Sequence, residues 1–336
     1  MFRISLRAWL ALMPAVAAFV WWQSRHVVLT PSNLAGMSEV VSLDEDVWEI
    51  AWSPERDRVA LLAWGRPAEI CDALSLKKLE AVGKGLIHFA FSPEKGVVAY
   101  CKNGKVVEIL DRRTGRTVRI DAGNAQPQMA FSPDGAALAT GGYGTTARLW
   151  RVSDGAPLNE FEAGPMKGGL TPVFSPDGTT LAVGHRNSTT TLFDVATARP
   201  RAVLTKGMSQ GLQFSPDGRT LAVAYVDGSI GLWDPADGHL LRQRQTSAEE
   251  LYRVEWSPDG RILASAGRKG KITLWNPADL STLREIDGPE WVIGLRFSPD
   301  GRNLITAGGA FRPPRKQTLK VWGIEGTLYT LANRRR

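Results

Sequence analysis

Four histidines, His26, His88, His185 and His239, are the side chains best suited to proton transfer or metal ligation near neutral pH. They share no spacing and have no companion ligands, so they are read as packed or solvated groups and the expected metal set is none. His88 is the one whose strand can turn it toward the middle of the fold. Cys71 and Cys101 form no Cys-x-x-Cys pair. They fall in neighbouring segments where a disulfide is geometrically conceivable, but free buried thiols are the expected state. Gly141-Gly142-Tyr143-Gly144 has the glycines of a phosphate loop without the Gly-Lys-Ser/Thr that would follow or a helix behind it. No acid or base converges with an electrophile stabiliser, so the sequence points to no enzyme and to no cofactor.

The elements that hold these residues are legible from a repeat. Phe or Trp followed by Ser-Pro recurs seven times, at Trp52, Phe91, Phe131, Phe174, Phe214, Trp256 and Phe297, in steps of 39, 40, 43, 40, 42 and 41 residues. A period of about 40 to 45 residues is the length of one four-stranded propeller blade. In the fifth copy, Leu212 and Phe214 mark a first strand and Ser215-Pro216-Asp217-Gly218 a turn. Thr220 to Ala224 is a second strand, Asp227-Gly228 a tight turn, and Ser229 to Trp233 a third strand. Turn chemistry accounts for the repeated aspartates Asp134, Asp177, Asp217, Asp259 and Asp300 without any acidic site. The seven Ser-Pro pairs are structural on the same ground.

The third strands end at Cys71-Asp72, Leu110-Asp111, Trp150-Arg151, Phe193-Asp194, Trp233-Asp234, Trp275-Asn276 and Trp322-Gly323. With two motifs in phase through seven repeats, the chain resembles the WD-repeat propeller family from Glu39 to about Leu331. The resemblance implies an all-β fold, a seven-bladed β-propeller of four-stranded antiparallel blades, with a narrow top face used for binding. One departure is the missing Gly-His before the first strand. The family's Asp-His-Ser-Trp network cannot be built without it, so blades are expected to rely more on apolar packing. Eight outer-strand candidates exist for seven blades. Glu39 to Leu43 is expected to complete the last blade, leaving Thr327 to Leu331 as an extra edge strand or a competitor for that place.

The 336 residues carry a formal charge of +7, but Arg3, Arg7, Arg25, Arg334, Arg335 and Arg336 lie in the tails. The remainder holds 35 basic against 34 acidic residues, a net +1, which lacks the positive footprint of a phosphate-backbone binder. Nucleic acid is therefore not an expected partner. Ala8 to Trp22 is free of charge and follows two arginines. It is read as an N-terminal hydrophobic helix that anchors the chain in a membrane, with the remainder outside the cytoplasm. The alternative is a signal peptide cleaved near Ala15 to Ala18, giving an exported soluble protein. The resulting division is residues 1–25 as anchor or signal, 26–37 as linker, 38–332 as propeller and 333–336 as a basic tail.

The expected function is a non-enzymatic scaffold that binds a protein or peptide on the top face, tethered through residues 1–25. Its candidate contacts lie in top-face loops, where the fold requires no particular side chain. They are Trp48, Trp64, Lys102, Tyr143, Arg186, Tyr252, Arg268, Trp291, Phe311 and Arg315, of types enriched in interface hot spots. Trp48 and Trp291 also suit packing between blades. The longest departure from the period, Ala310 to Lys316, lies in the seventh copy. The alternative reading is a cell-envelope enzyme or small-ligand binder that acts through channel-facing residues such as His88.

Overall fold

A computed structural model describes residues 29–43, 47–53, 57–63, 66–72, 77–83, 85–102, 104–123, 127–164, 168–185, 189–205, 207–309 and 317–324. Seven antiparallel sheets, one per repeat, are arranged as a propeller. Blade 5 shows the pattern: inner strand Ser209–Phe214, then Leu221–Tyr225, Ser229–Trp233 and outer strand Leu240–Gln245. The inner strands of successive blades touch one another in order, and that of blade 7, Val292–Phe297, returns to that of blade 1, Val47–Trp52. The ring is closed. The N-terminal hydrophobic helix expected from the sequence falls outside the described residues. Among the described residues the one helical element is the 3-10 turn Leu34–Gly36, and no helix is long and apolar enough to cross a membrane.

The expected closure is present. Met37–Leu43 pairs antiparallel with Gln317–Ile324 as the outer strand of blade 7; Thr327 to Leu331 lies outside the described residues. Leu29, Leu34 and Met37, in the span read above as a linker, are fully buried in the core shared by blades 6 and 7. The Leu29 N–H donates to the carbonyl of Gly301 at 2.8 Å. The chain therefore enters the ring beside the Ser-Pro-Asp-Gly turn of blade 7, on the face we call the bottom.

Each Ser-Pro-Asp-Gly turn is fixed in the same way. The serine hydroxyl donates to the aspartate two residues on, at 2.5 to 2.7 Å in blades 3 to 7. The same hydroxyl accepts the N–H five residues on, for example Thr220 to Ser215 at 3.0 Å. The glycines take φ of 68° to 73°, a conformation that strains any other residue. Gly178, Gly218 and Gly260 each lie against the turn proline of the preceding blade, Pro133, Pro176 and Pro216. The turns thus lock neighbouring blades along the bottom face.

Apolar clusters fill the space between successive blades. The polar network is not wholly lost, which amends the sequence expectation. Trp150, Trp275 and Trp322 donate Nε1–H to the hydroxyls of Thr140, Ser265 and Thr306 at 2.8 to 3.0 Å, and Trp233 does so to Tyr225 at 2.8 Å. In blades 1 and 4 the tryptophan is replaced by Cys71 and Phe193, which have no indole donor, and the second-strand positions that match Thr140 and Ser265 hold the apolar Leu61 and Val183. In these two blades donor and acceptor are lost together, as burial of an unpaired polar group requires, whereas in blade 2 Leu110 replaces the tryptophan and the Tyr100 hydroxyl bonds Glu108 instead.

Two further regularities govern the outer strands. In blades 1, 2, 3, 4 and 6 the strand buries one apolar residue near its end: Val82, Ile120, Phe161, Leu204 and Ile286. Six blades also join third to outer strand by an ion pair. These are Lys78–Glu69, Arg119–Glu108, Arg148–Glu160, Arg201–Asp194, Lys271–Asp287 and, across the closure, Lys320–Glu39.

Candidate functional site

The rim opposite the bottom turns carries the second-to-third strand turns and the entries to the inner strands. On blades 6 and 7 it gathers three of the sequence-predicted residues. Tyr252 is the second residue of the inner strand Leu251–Trp256, and its ring stacks on Trp291 with centroids 5.7 Å apart and planes 12° from parallel. The Arg268 guanidinium lies 5.0 Å from the centre of the Trp291 ring, an attraction between cation and aromatic quadrupole. The backbone sets this up. Arg268 N–H donates to Glu250 O at 2.9 Å, and Arg268 and Trp291 form an antiparallel bridge. Gly267 permits the approach, since a Cβ there would lie 1.9 Å from Glu250 O.

Acids complete the cluster. The Tyr252 hydroxyl donates to Glu250 Oε2 at 2.5 Å, Arg268 lies 3.5 Å from Glu249 and 3.8 Å from Glu250, and Lys269 pairs with Glu249 at 2.6 Å. The Lys269 bond holds the Glu249 carboxyl below the usual carboxylate range. Lys269 sits at φ 73° beside Gly270 at 68°, a left-handed two-residue turn that projects both cations outward. Tyr252 is buried at 8% exposure, so it is the base of the cluster, while Arg268 at 44% and Lys269 at 56% are its accessible part.

Two other predicted residues lie elsewhere. Tyr143, 59% exposed, occupies Gly142–Gly144, a short strand from the blade 3 turn that adds a fifth strand beside the inner strand of blade 4. Lys102 belongs to a separate group on blade 2, pairing with Glu108 at 3.2 Å and lying 5.6 Å over the Tyr100 ring. Burial and a bond to Glu108 push the Tyr100 hydroxyl up to about 12. Trp48 lies in the inner strand of blade 1, its side chain outside the described set. Trp64, Arg186, Phe311 and Arg315 fall outside the described residues.

The ring interior holds polar groups of which the sequence reading singled out only His88. Glu49, His88 and Gln128 each stand three residues before the Phe or Trp of their repeat, in successive blades. Glu49 Oε2 lies 3.0 Å from His88 Nδ1, and Gln128 Nε2 lies 3.1 Å from His88 Nε2. An amide nitrogen can only donate, so this orientation makes His88 Nε2 the acceptor and Nδ1–H the donor to Glu49. On the other side, one residue before the Phe or Trp, Gln213, Glu255 and Arg296 form a second chain across blades 5 to 7. Arg296 Nη1 is 3.0 Å from Glu255 Oε2, and burial pushes the Glu255 carboxyl up against the opposing pull of Arg296 and Gln213. The common offset from Ser-Pro was the signal available in the sequence.

Cys71 and Cys101 are buried and do not pair in a disulfide, and burial pushes the Cys101 thiol up to about 11. Asp234, Asp237 and His239 have ligand atoms within 4.8 Å of one another, but they form the third-to-outer turn of blade 5 and bond its backbone.

The model of the WD domain, G-beta repeat, matches residues 127–151 and 207–234, which are blades 3 and 5 up to the tryptophans that keep their hydroxyl partners. With seven four-stranded blades and the recurring Trp-Asp phase, this decides the family. The chain belongs to the WD-repeat propellers. The model of eukaryotic translation initiation factor eIF2A matches residues 244–336, which begin near the end of blade 5. No curated protein matches the chain. WD-repeat propellers typically serve as interaction scaffolds.

Proposed function

We propose that this WD-repeat propeller is a non-enzymatic scaffold that docks a protein or peptide on its top rim, centred on blades 6 and 7, while residues 1–25 tether it to a membrane. The observation that carries the reading is the Tyr252–Trp291–Arg268 stack flanked by Lys269, Glu249 and Glu250. An aromatic anchor with a buried base and exposed cations is the composition of an interface hot spot. Tyr143 extends the surface toward blade 4.

The path of the chain supports a definite orientation for the tether. Leu29 is bound to Gly301 on the bottom face, so a membrane segment preceding it holds that face toward the lipid and turns the rim cluster outward. The arginines ahead of the apolar run favour the amino end inside and the ring outside the cytoplasm.

The test is affinity purification of the membrane-extracted chain followed by mass spectrometry, beside a variant carrying Tyr143→Ala and Arg268→Ala. The expected result is an unchanged thermal unfolding profile, a companion lost only from the variant, and residues 1–25 recovered in the purified chain. Equal capture by both chains refutes the rim assignment. Loss of residues 1–25 from the mature chain refutes the tether.

A second reading, small-ligand binding in the channel, draws on the Glu49–His88–Gln128 chain. It predicts that His88→Gln removes ligand binding while leaving the rim partner in place.

A further inference from the structure

Blade 5 departs both from the buried apolar residue of blades 1, 2, 3, 4 and 6 and from the ion pair of the six other blades. Its strand Leu240–Gln245 has every residue exposed. The position that holds Val82, Ile120, Phe161, Leu204 or Ile286 elsewhere holds Arg244, opposite Ile230. The ion pair is missing too. The third strand, Ser229–Trp233, contains no charged residue, whereas the outer strand carries Arg242 and Arg244. Among the described residues Arg244 makes no hydrogen bond or ion pair, and Arg242 has only the charge of Asp279 nearby. An arginine in place of an apolar plug contributes nothing to the blade core, so its use lies outside the blade.

We propose that the outer edge of blade 5 receives an acidic, extended segment of a partner protein as a fifth strand. This surface lies apart from the rim described above and goes beyond that reading. An edge strand presents unpaired N–H and C=O groups, and strand addition satisfies them. Arg242 and Arg244 are two residues apart and therefore project on one face, matching carboxylates at alternate positions of an added strand. The molecule already closes itself in this manner at blade 7. There Met37–Leu43 is added from the other end of the chain and Glu39 supplies the acid for Lys320 at 2.7 Å. A strand of three residues, Gly142–Gly144, is enough for addition to blade 4. Like charge disfavours a second copy of this edge as the occupant, because antiparallel self-pairing brings arginines together.

The test is fluorescence anisotropy on the full chain in detergent with a labelled peptide, Thr-Val-Glu-Val-Glu-Val-Thr. Two control peptides carry lysine for both glutamates or proline for the central valine. The proposal expects binding of the acidic peptide, and about tenfold or greater weakening for each control, for Arg242→Glu with Arg244→Glu, and for the milder Arg242→Gln with Arg244→Gln. It also expects slowed amide exchange over 240–245 on binding. The glutamine pair, at unchanged melting temperature, guards against misfolding. Absence of binding, equal binding of the proline peptide, or indifference to the arginine substitutions overturns the proposal. So does tighter arginine-dependent binding to phosphatidylserine vesicles than to the peptide.

Discussion

Replacing Arg296 with Met tests whether the chain Gln213–Glu255–Arg296 is held together by compensation of a buried charge. Glu255 is 7% exposed, and its carboxylate keeps Arg296 Nη1 at 3.0 Å. Gln213 Oε1 accepts the Trp256 N–H at 2.5 Å, so its amide nitrogen is the end turned to Glu255. Breaking a fully buried pair costs about 3–5 kcal/mol; because Arg296 is 39% exposed, screening brings the expectation down to about 2–3 kcal/mol at pH 8. The variant has an escape, which is to protonate Glu255. A carboxyl raised in the folded state binds more protons folded than unfolded, so its contribution favours folding at low pH and declines as pH rises through the raised value. The penalty in Arg296→Met should therefore shrink on acidification, by up to about 1.4 kcal/mol per pH unit below the variant's Glu255 pKa. Urea unfolding followed by tryptophan fluorescence at pH 5 to 8, on the variant and on wild type, measures it. Adding Glu255→Gln should recover most of the loss. A pH-independent penalty, or no rescue, refutes the account of this chain.

Hydrogen bonds from Ser132, Ser175 and Ser215 hold Asp134, Asp177 and Asp217 below the usual carboxylate range. Their stabilisation is complete above about pH 4 and should be lost as pH falls through the lowered values, with Asp217→Asn flattening the acid limb of a stability–pH curve. Ala198 has φ 55° where Gly115, Gly155 and Gly238 stand in other blades, so Ala198→Gly should raise stability by about 1 kcal/mol in urea unfolding. Trp52 Nε1 is buried without an acceptor, and Phe fills its place in five other repeats, so Trp52→Phe should be neutral or stabilising by about 1 kcal/mol. Trp275→Phe should cost about 1–2 kcal/mol by stranding the Ser265 hydroxyl, and Ser265→Ala in the same chain should return part of it.

Much of the architecture was legible because its signals are local and repeated. Ser-Pro-Asp-Gly, present in five blades, encodes a turn in which serine, aspartate and glycine each have a task, and the seven copies of Phe or Trp before Ser-Pro set the blade number. The outer strands followed from the same period, including the closing strand at Glu39 to Leu43. The rim was legible only in part. Tyr252, Arg268 and Trp291 were chosen for type and loop position, but their stacking depends on how two blades meet, which spacing along one chain does not express. Lys102 shared the type yet spends its charge on Glu108. Leu29, Leu34 and Met37 looked like a linker because three apolar residues without period carry no strand or helix signal, and only the groove between blades 6 and 7 gives them a purpose. The inner-wall chains were hidden by the weight of apolar residues around them.

The clasp at blade 7 sets a timetable for synthesis. Its outer strand ends at Leu43 and its partner begins at Gln317, and at roughly 5–20 residues per second a ribosome takes about 15–55 s to cover the interval. For that time the first strand made has no mate, and six blades emerge before the seventh can be finished. The nascent protein is thus an arc with two adhesive ends, and whatever shields Met37–Leu43 until termination decides whether it meets its own tail or a neighbour's.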